Sequence, residues 1–213
     1  MQVPSSLLSS FVTLFVTIGP IETAVIFSGL TSGIHHKERR SLALRSVAIA
    51  GLMLLLFAVG GNLVLSLLHV SLPAFRVAGG MLLFLQALTL TFSSPGLSSI
   101  NERERRDAEM PGDIAVFPLA FPLIASPGAL SAVVLLTVRE EGWTEQVFII
   151  AMIALCLIIT YMAMSAADVL VRLLGQTGAD VVGRISGVLL AGLAVQFIFD
   201  GLRGGFPQAF GLT

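Results

Sequence analysis

The stretch TIGPIETAVIF (residues 17–27) lies inside an apolar run from Leu7 to Leu30, yet it carries Gly19-Pro20 and one carboxylate, Glu22. A second stretch, IASPGALSAVV (residues 124–134), repeats the device: Ser126-Pro127-Gly128 interrupts an apolar run from Ile114 to Val138. Proline removes a backbone donor and clashes with the preceding turn. Glycine loosens the chain beside it. A helix is therefore expected to break near the middle of each run. At membrane depth such a break is tolerated only where protein or a water-filled cavity pairs the freed backbone groups.

Pro127 follows Pro20 by 107 residues. Working outward, FRVAGGMLL (75–83) pairs with GRISGVLLA (183–191), so that Arg184 follows Arg76, and Gly187 follows Gly79, by 108 residues. A weaker match joins NLVLSLL at Asn62 to DVLVRLL at Asp168, 106 residues apart. Near-equal offsets in the same order predict an internal duplication.

Six apolar stretches span the chain: Leu7–Leu30, Ala48–Leu68, Leu72–Phe92, Ile114–Val138, Val147–Val171 and Val181–Phe199. Each is about the 20 residues a helix needs to cross the hydrocarbon core. The 213 residues are 55% hydrophobic and only 12% charged, with a mean hydropathy of +0.94. A soluble domain carries about 25% charged residues. The expectation is an all-α membrane protein of six transmembrane helices. Three helices per copy place the second copy upside down, giving two inverted three-helix repeats with helices 1 and 4 broken near the membrane midplane. The repeats fall at 1–95 and 114–205, joined by a charged cytoplasmic connector at 96–113 and followed by a C-terminal tail at 206–213.

Lys37, Arg39, Arg40 and Arg45 flank the first link, Arg103, Arg105 and Arg106 the third, and Arg172 and Arg184 the fifth. The other links receive Arg76, Arg139 and Arg203. Cytoplasmic links attract Lys and Arg, so both termini are expected outside the cytoplasm. HHKERR (35–40) reads as a topology determinant at the lipid headgroups rather than a metal site. Residues 1–10 contain no Lys or Arg, which argues against a cleaved signal peptide. The single cysteine, Cys156, excludes an internal disulfide and reads as a small buried hydrophobe. Gly183 and Gly187, and Ala163 and Ala167, have the spacing of close helix packing, expected within the bundle.

The half-helices after Pro20 and Pro127 start with unpaired N–H groups at the positive end of the helix dipole. If the two starts meet, they suit an anionic group such as a carboxylate. Gly19, Pro20, Glu22, Thr23, Ser126, Pro127 and Gly128 are the substrate-binding candidates. Glu22 is the coupling-ion candidate, because an acid deep in an apolar segment must face a cavity, find partners or bind a proton. Asn62, Arg76, Asp168 and Arg184 are expected as structural polar residues. No G-x-S-x-G, H-E-x-x-H or paired catalytic acids occur in the sequence, so no enzyme, cofactor or metal is expected. A net charge of −1 offers no field for nucleic acid. The expected partners are membrane lipid and a small-molecule substrate, with a homo-oligomer left open.

GPIETAVIF (19–27), FRVAGGMLLFLQAL (75–88), PLAFPLIASPGAL (118–130) and GRISG…QFIFDGLR (183–203) together make the chain resemble the MarC family of membrane proteins. That family includes small neutral amino acid transporters of the SnatA type. The resemblance covers nearly the whole chain. It implies a multi-pass protein of the bacterial inner membrane, a secondary transporter or exporter, and small neutral amino acids as substrate with protons or sodium as coupling ion. One departure stands out. The family's first motif usually reads Asp-Pro-Ile/Leu-Gly-Asn, and here Gly19 replaces the Asp, Glu22 the Gly and Thr23 the Asn. The acid has moved by about one helical turn. A non-transporting regulatory or assembly protein of the membrane is the alternative reading.

Overall fold

The computed structural model describes residues 3–31, 33–92, 113–138 and 143–206. The connector at 96–113, Asp113 excepted, and the tail from 207 lie outside the described residues. These contain helices and no strand. In order they are α1 (Val3–Ile18), α2 (Pro20–Leu30), α3 (His36–Leu67), α4 (Leu72–Phe92), α5 (Ala115–Ile124), α6 (Pro127–Val138), α7 (Trp143–Ser165) and α8 (Ala167–Gly205). Five spans are long and apolar enough to cross a membrane: Leu8–Leu30, His36–Leu67, Leu72–Phe92, Gln146–Ser165 and Val181–Gly205. The α5–α6 pair, bent by 54°, makes a sixth if it is counted as one span.

Two boundaries differ from the sequence reading. HHKERR is not a link; all but His35 belongs to the opening turns of α3, which starts at His36. Lys, Glu, Arg and Leu all favour helix, so only a few residues around Gly33 make the turn. Likewise the fifth apolar stretch ends at Ser165 rather than Val171, and Asp168 lies in the first turn of α8. The expected link between the fifth and sixth stretches is helical, because no proline stands between 166 and 206 to end it.

α5 is irregular for a local reason. Phe117 and Phe121 have extended backbones inside it, and each precedes a proline, Pro118 or Pro122. The proline ring crowds the residue before it out of the helical region.

Packing separates into two clusters. Leu14, Phe27, Leu54, Leu119, Ile124, Val133 and Ile153 join α1, α2, α3, α5, α6 and α7, and the buried Cys156 sits among them. Leu83, Ala87, Leu190 and Ala194 join α4 to α8. Small residues set that second contact. A Cβ on Gly80 would stand 2.8 Å from the Ala194 carbonyl oxygen, and one on Gly187 would stand 3.0 Å from the Ala87 carbonyl oxygen. Of the Gly183–Gly187 pair, Gly187 therefore packs within the bundle, whereas Gly183 has nothing within 4 Å. The outer faces of α3, α4 and α8 remain apolar: Leu56, Leu63, Leu85 and Val188 are each 60% exposed or more. Lipid is the solvent that such faces require.

Candidate functional site

Gly19 adopts the left-handed conformation (φ 60°, ψ 61°) between α1 and α2. Its N–H still donates to the Phe15 carbonyl at 3.0 Å, and its own carbonyl accepts the Thr23 N–H at 2.9 Å. The chain thus turns without losing continuity, and Pro20 opens the new helix where its missing N–H costs nothing. Helix geometry leaves the N–H groups of Ile21 and Glu22 without intrahelical acceptors. Glu22 lies in this first turn and folds back over the break. Its Oε2 is 3.2 Å from the position a Cβ on Gly19 would take. The acid that the resemblance places at residue 19 is absent from that backbone position, yet Glu22 returns a carboxylate to the space its side chain would enter.

α6 starts by a different device. The Ser126 hydroxyl accepts the Ala129 N–H at 3.0 Å, capping the helix, and donates to Gln86 Oε1 at 3.1 Å. Pro127 again takes the first helical position. A Cβ on Gly128 would stand 2.5 Å from Leu83 Cδ2 and 2.9 Å from Gln86 Oε1, so a larger residue here would have to displace these two α4 side chains.

One cavity of about 300 Å³ joins the two starts. Glu22 and Thr23 of α2 line it, as do Ser126, Pro127 and Gly128 of α6. Gly19 and Pro20 stand behind this wall, next to Glu22 but not lining the cavity. Apolar walls come from Ile18, Ile26, Leu82 and Leu85. Glu22 is the one ionisable side chain among the lining residues. The arrangement offers a carboxylate, a capped helix start with the Gly128 N–H, and an amide around one half-open, largely apolar cavity. Sequence reasoning missed Gln86, Thr89, Pro118 and Pro122, which also line it. The available signals were a carboxamide inside an apolar segment and two prolines four residues apart. Among the described residues, no group of three or more His, Cys, Asp or Glu could hold a metal ion.

The four structural-polar candidates do not line the cavity. Asn62 is exposed on α3, beside Thr137 and Gln146. Arg76 is half-buried on α4, and Arg184 is exposed on α8. Asp168 instead forms a node with residues the sequence did not connect to it. Arg39 donates to both of its carboxylate oxygens, at 2.7 and 2.8 Å, and Ser28 donates to Oδ1 at 3.3 Å. The Arg39 guanidinium also lies 5.6 Å from the Phe27 ring centroid. The end of α2, the start of α3 and the start of α8 are thereby tied together. Hydrogen bonding from Arg39 holds the Asp168 carboxyl below the usual carboxylate range, outweighing its partial desolvation.

A carboxyl held low in the folded state adds stability above its unfolded pKa, and that addition is lost as pH falls through the folded value. Asp168→Asn is therefore expected to lower Tm by roughly 2–4 °C at pH 7, equivalent to about 1 kcal/mol for a partly exposed pair. The gap between the two proteins should close as pH falls below about 4. Thermal melts from pH 7 to pH 3 check this, and a gap that stays constant would contradict it.

The chain matches a model of MarC family integral membrane proteins over residues 5–206. Similar curated proteins include a UPF0056 membrane protein of Archaeoglobus fulgidus, 33% identical over 194 residues, which are 91% of each chain. YvbG of Bacillus subtilis is 31% identical over 198 residues, covering 92% of this chain and 94% of the relative. YhcE of Escherichia coli is 31% identical over 197 residues, covering 92% of each. No solved structure matches the chain.

Proposed function

The chain belongs to the MarC family of integral membrane proteins, and from that premise we propose that it is a secondary transporter or exporter of a small solute. The observation that carries the proposal is the convergence of both interrupted segments, with Glu22, on one cavity. Transporter sites recur where broken helices present half-helix N-termini to an anionic substrate group. Small neutral amino acids are the substrate class that the resemblance suggests. The start of α6 and the Gly128 N–H would receive the carboxylate, and Glu22 would carry the coupling proton or sodium ion. Transport is favoured over catalysis because Ser126, the one serine on the wall, caps a helix and donates to Gln86 rather than facing a base.

The same reading includes two inverted three-helix repeats, 1–95 and 114–205. The sequence offsets support it, and so do a broken segment in each half and the broad pairing of α4 with α8. We also place both termini outside the cytoplasm, in a bacterial inner membrane. A reporter fused after Thr213 should be active only when its assay reads the non-cytoplasmic side; cytoplasmic activity would overturn that topology.

The test of function is uptake of labelled glycine, alanine and serine into proteoliposomes, with and without proton and sodium gradients. Saturable, gradient-dependent uptake is expected. No flux across a broad solute panel would favour a regulatory or assembly protein instead.

A further inference from the structure

We propose that the depression above the Arg39–Asp168 node binds a phosphate group. The depression encloses about 260 Å³ where the ends of α2, α3, α7 and α8 meet. His36, Lys37, Arg39 and Arg40 line it, and Asp168 is the one acid among the lining residues. Arg39, whose side chain is only 13% exposed, is committed to Asp168 through two hydrogen bonds. That pair is electrically neutral. Lys37 and Arg40 are exposed on the same rim, and no ion pair to either occurs among the described residues. His36 Nε2 lies 3.9 Å from Asp168 Oδ2, so it belongs to the same cluster.

The excess charge thus surrounds a concave space rather than an open helix face. A phosphate offers several oxygens to Lys and Arg donors at once, which suits this geometry. Its surroundings favour a phosphate carried on lipid. Leu44, one turn beyond Arg40 on α3, is 57% exposed, and Val169, beside Asp168 on α8, is 67% exposed. An anionic headgroup seated among the bases would lay its acyl chains along these apolar side chains. Basic pockets between membrane helices bind anionic headgroups in this way. A soluble phosphorylated compound presents the same group without the chains.

The experiment titrates detergent-purified, delipidated protein with phosphatidylglycerol, phosphatidylcholine or inorganic phosphate, reading bound lipid by native mass spectrometry and Tm by thermal melt. Phosphatidylglycerol should bind and raise Tm where phosphatidylcholine does not. Lys37→Gln/Arg40→Gln should weaken that binding roughly 10- to 30-fold, from about 1 kcal/mol for each basic residue near an anionic surface. Arg39 is left intact so that the node persists. Arg184→Gln/Arg203→Gln removes equal charge elsewhere on exposed positions of α8 and should bind as the native protein does. If inorganic phosphate alone reproduces the Tm shift, and the shift is lost in Lys37→Gln/Arg40→Gln, the ligand is a soluble phosphate and the assignment of the group stands. Equal response to both lipids and none to phosphate would overturn the proposal. So would an undiminished response in Lys37→Gln/Arg40→Gln, or an equal loss in the Arg184/Arg203 control.

Discussion

Glu22→Gln is expected to abolish the proton or sodium dependence of uptake while leaving the protein folded. The substitution keeps the shape of the side chain that folds over Gly19 and removes its charge. An acid at membrane depth is a default carrier of a proton or cation, so gradient-driven uptake should fall to the level seen without a gradient. The competing role is structural, in which the carboxylate only complements the positive start of α2. In that case Tm drops and coupling persists. A second variant separates the two further. The Glu22 carboxylate lies 3.2 Å from the Cβ position of residue 19, so an acid at 19 reaches nearly the same point. Aspartate also tolerates the left-handed backbone better than most residues. Gly19→Asp/Glu22→Ala should therefore recover ion dependence that Glu22→Ala alone loses. Full uptake with unchanged ion dependence in Glu22→Gln would remove Glu22 from the coupling role.

Gly80→Val is expected to cause a large loss of stability at the contact between α4 and α8. A Cβ at this position meets the Ala194 carbonyl oxygen at 2.8 Å and the Ile198 backbone nitrogen at 3.1 Å. Backbone atoms cannot rotate away as a side-chain tip can, so the helices must part. Overpacking of this kind costs about 1–3 kcal/mol and sometimes more, which lowers Tm by roughly 2–12 °C in a chain of this size. Gly60 supplies the control. It is also helical, yet a Cβ there has nothing within 4 Å, so Gly60→Ala should leave Tm unchanged or slightly raised. Thermal melts of the two purified variants decide the matter, and a native Tm for Gly80→Val would refute the close contact.

Part of the cavity was legible before any coordinates. Pro20 and Pro127 mark where helices restart, because proline acts on its own backbone and the turn before it. Glu22 was legible because a carboxylate in an apolar run is costly wherever the run goes. Gln86 was not singled out. A glutamine in a membrane segment has many possible partners, and only the seating of α4 against α6 brings its Oε1 to the Ser126 hydroxyl. The Arg39–Asp168 pair carried no sequence signal at all. Its members are 129 residues apart, and each reads alone as a charge near a segment end.

What the sequence determined by itself is local: an all-helical membrane chain, the positions of its apolar segments, and the two places where proline interrupts them. These follow from the length of apolar runs and from backbone chemistry within one helical turn. The tertiary structure decided where helices end, that residues 36–40 open α3, and that Asp168 belongs to α8 rather than to the end of the preceding apolar stretch. It also brought the starts of α2 and α6 to one cavity and gathered four helix ends around the Arg39–Asp168 node. Those outcomes depend on which apolar faces pack together, and faces of nearly uniform Leu, Val, Ile and Ala do not encode their partners in hydropathy. Small residues such as Gly80, Gly187 and Gly201 set the approach distances instead, and their effect exists only once a second helix is there to fill the space.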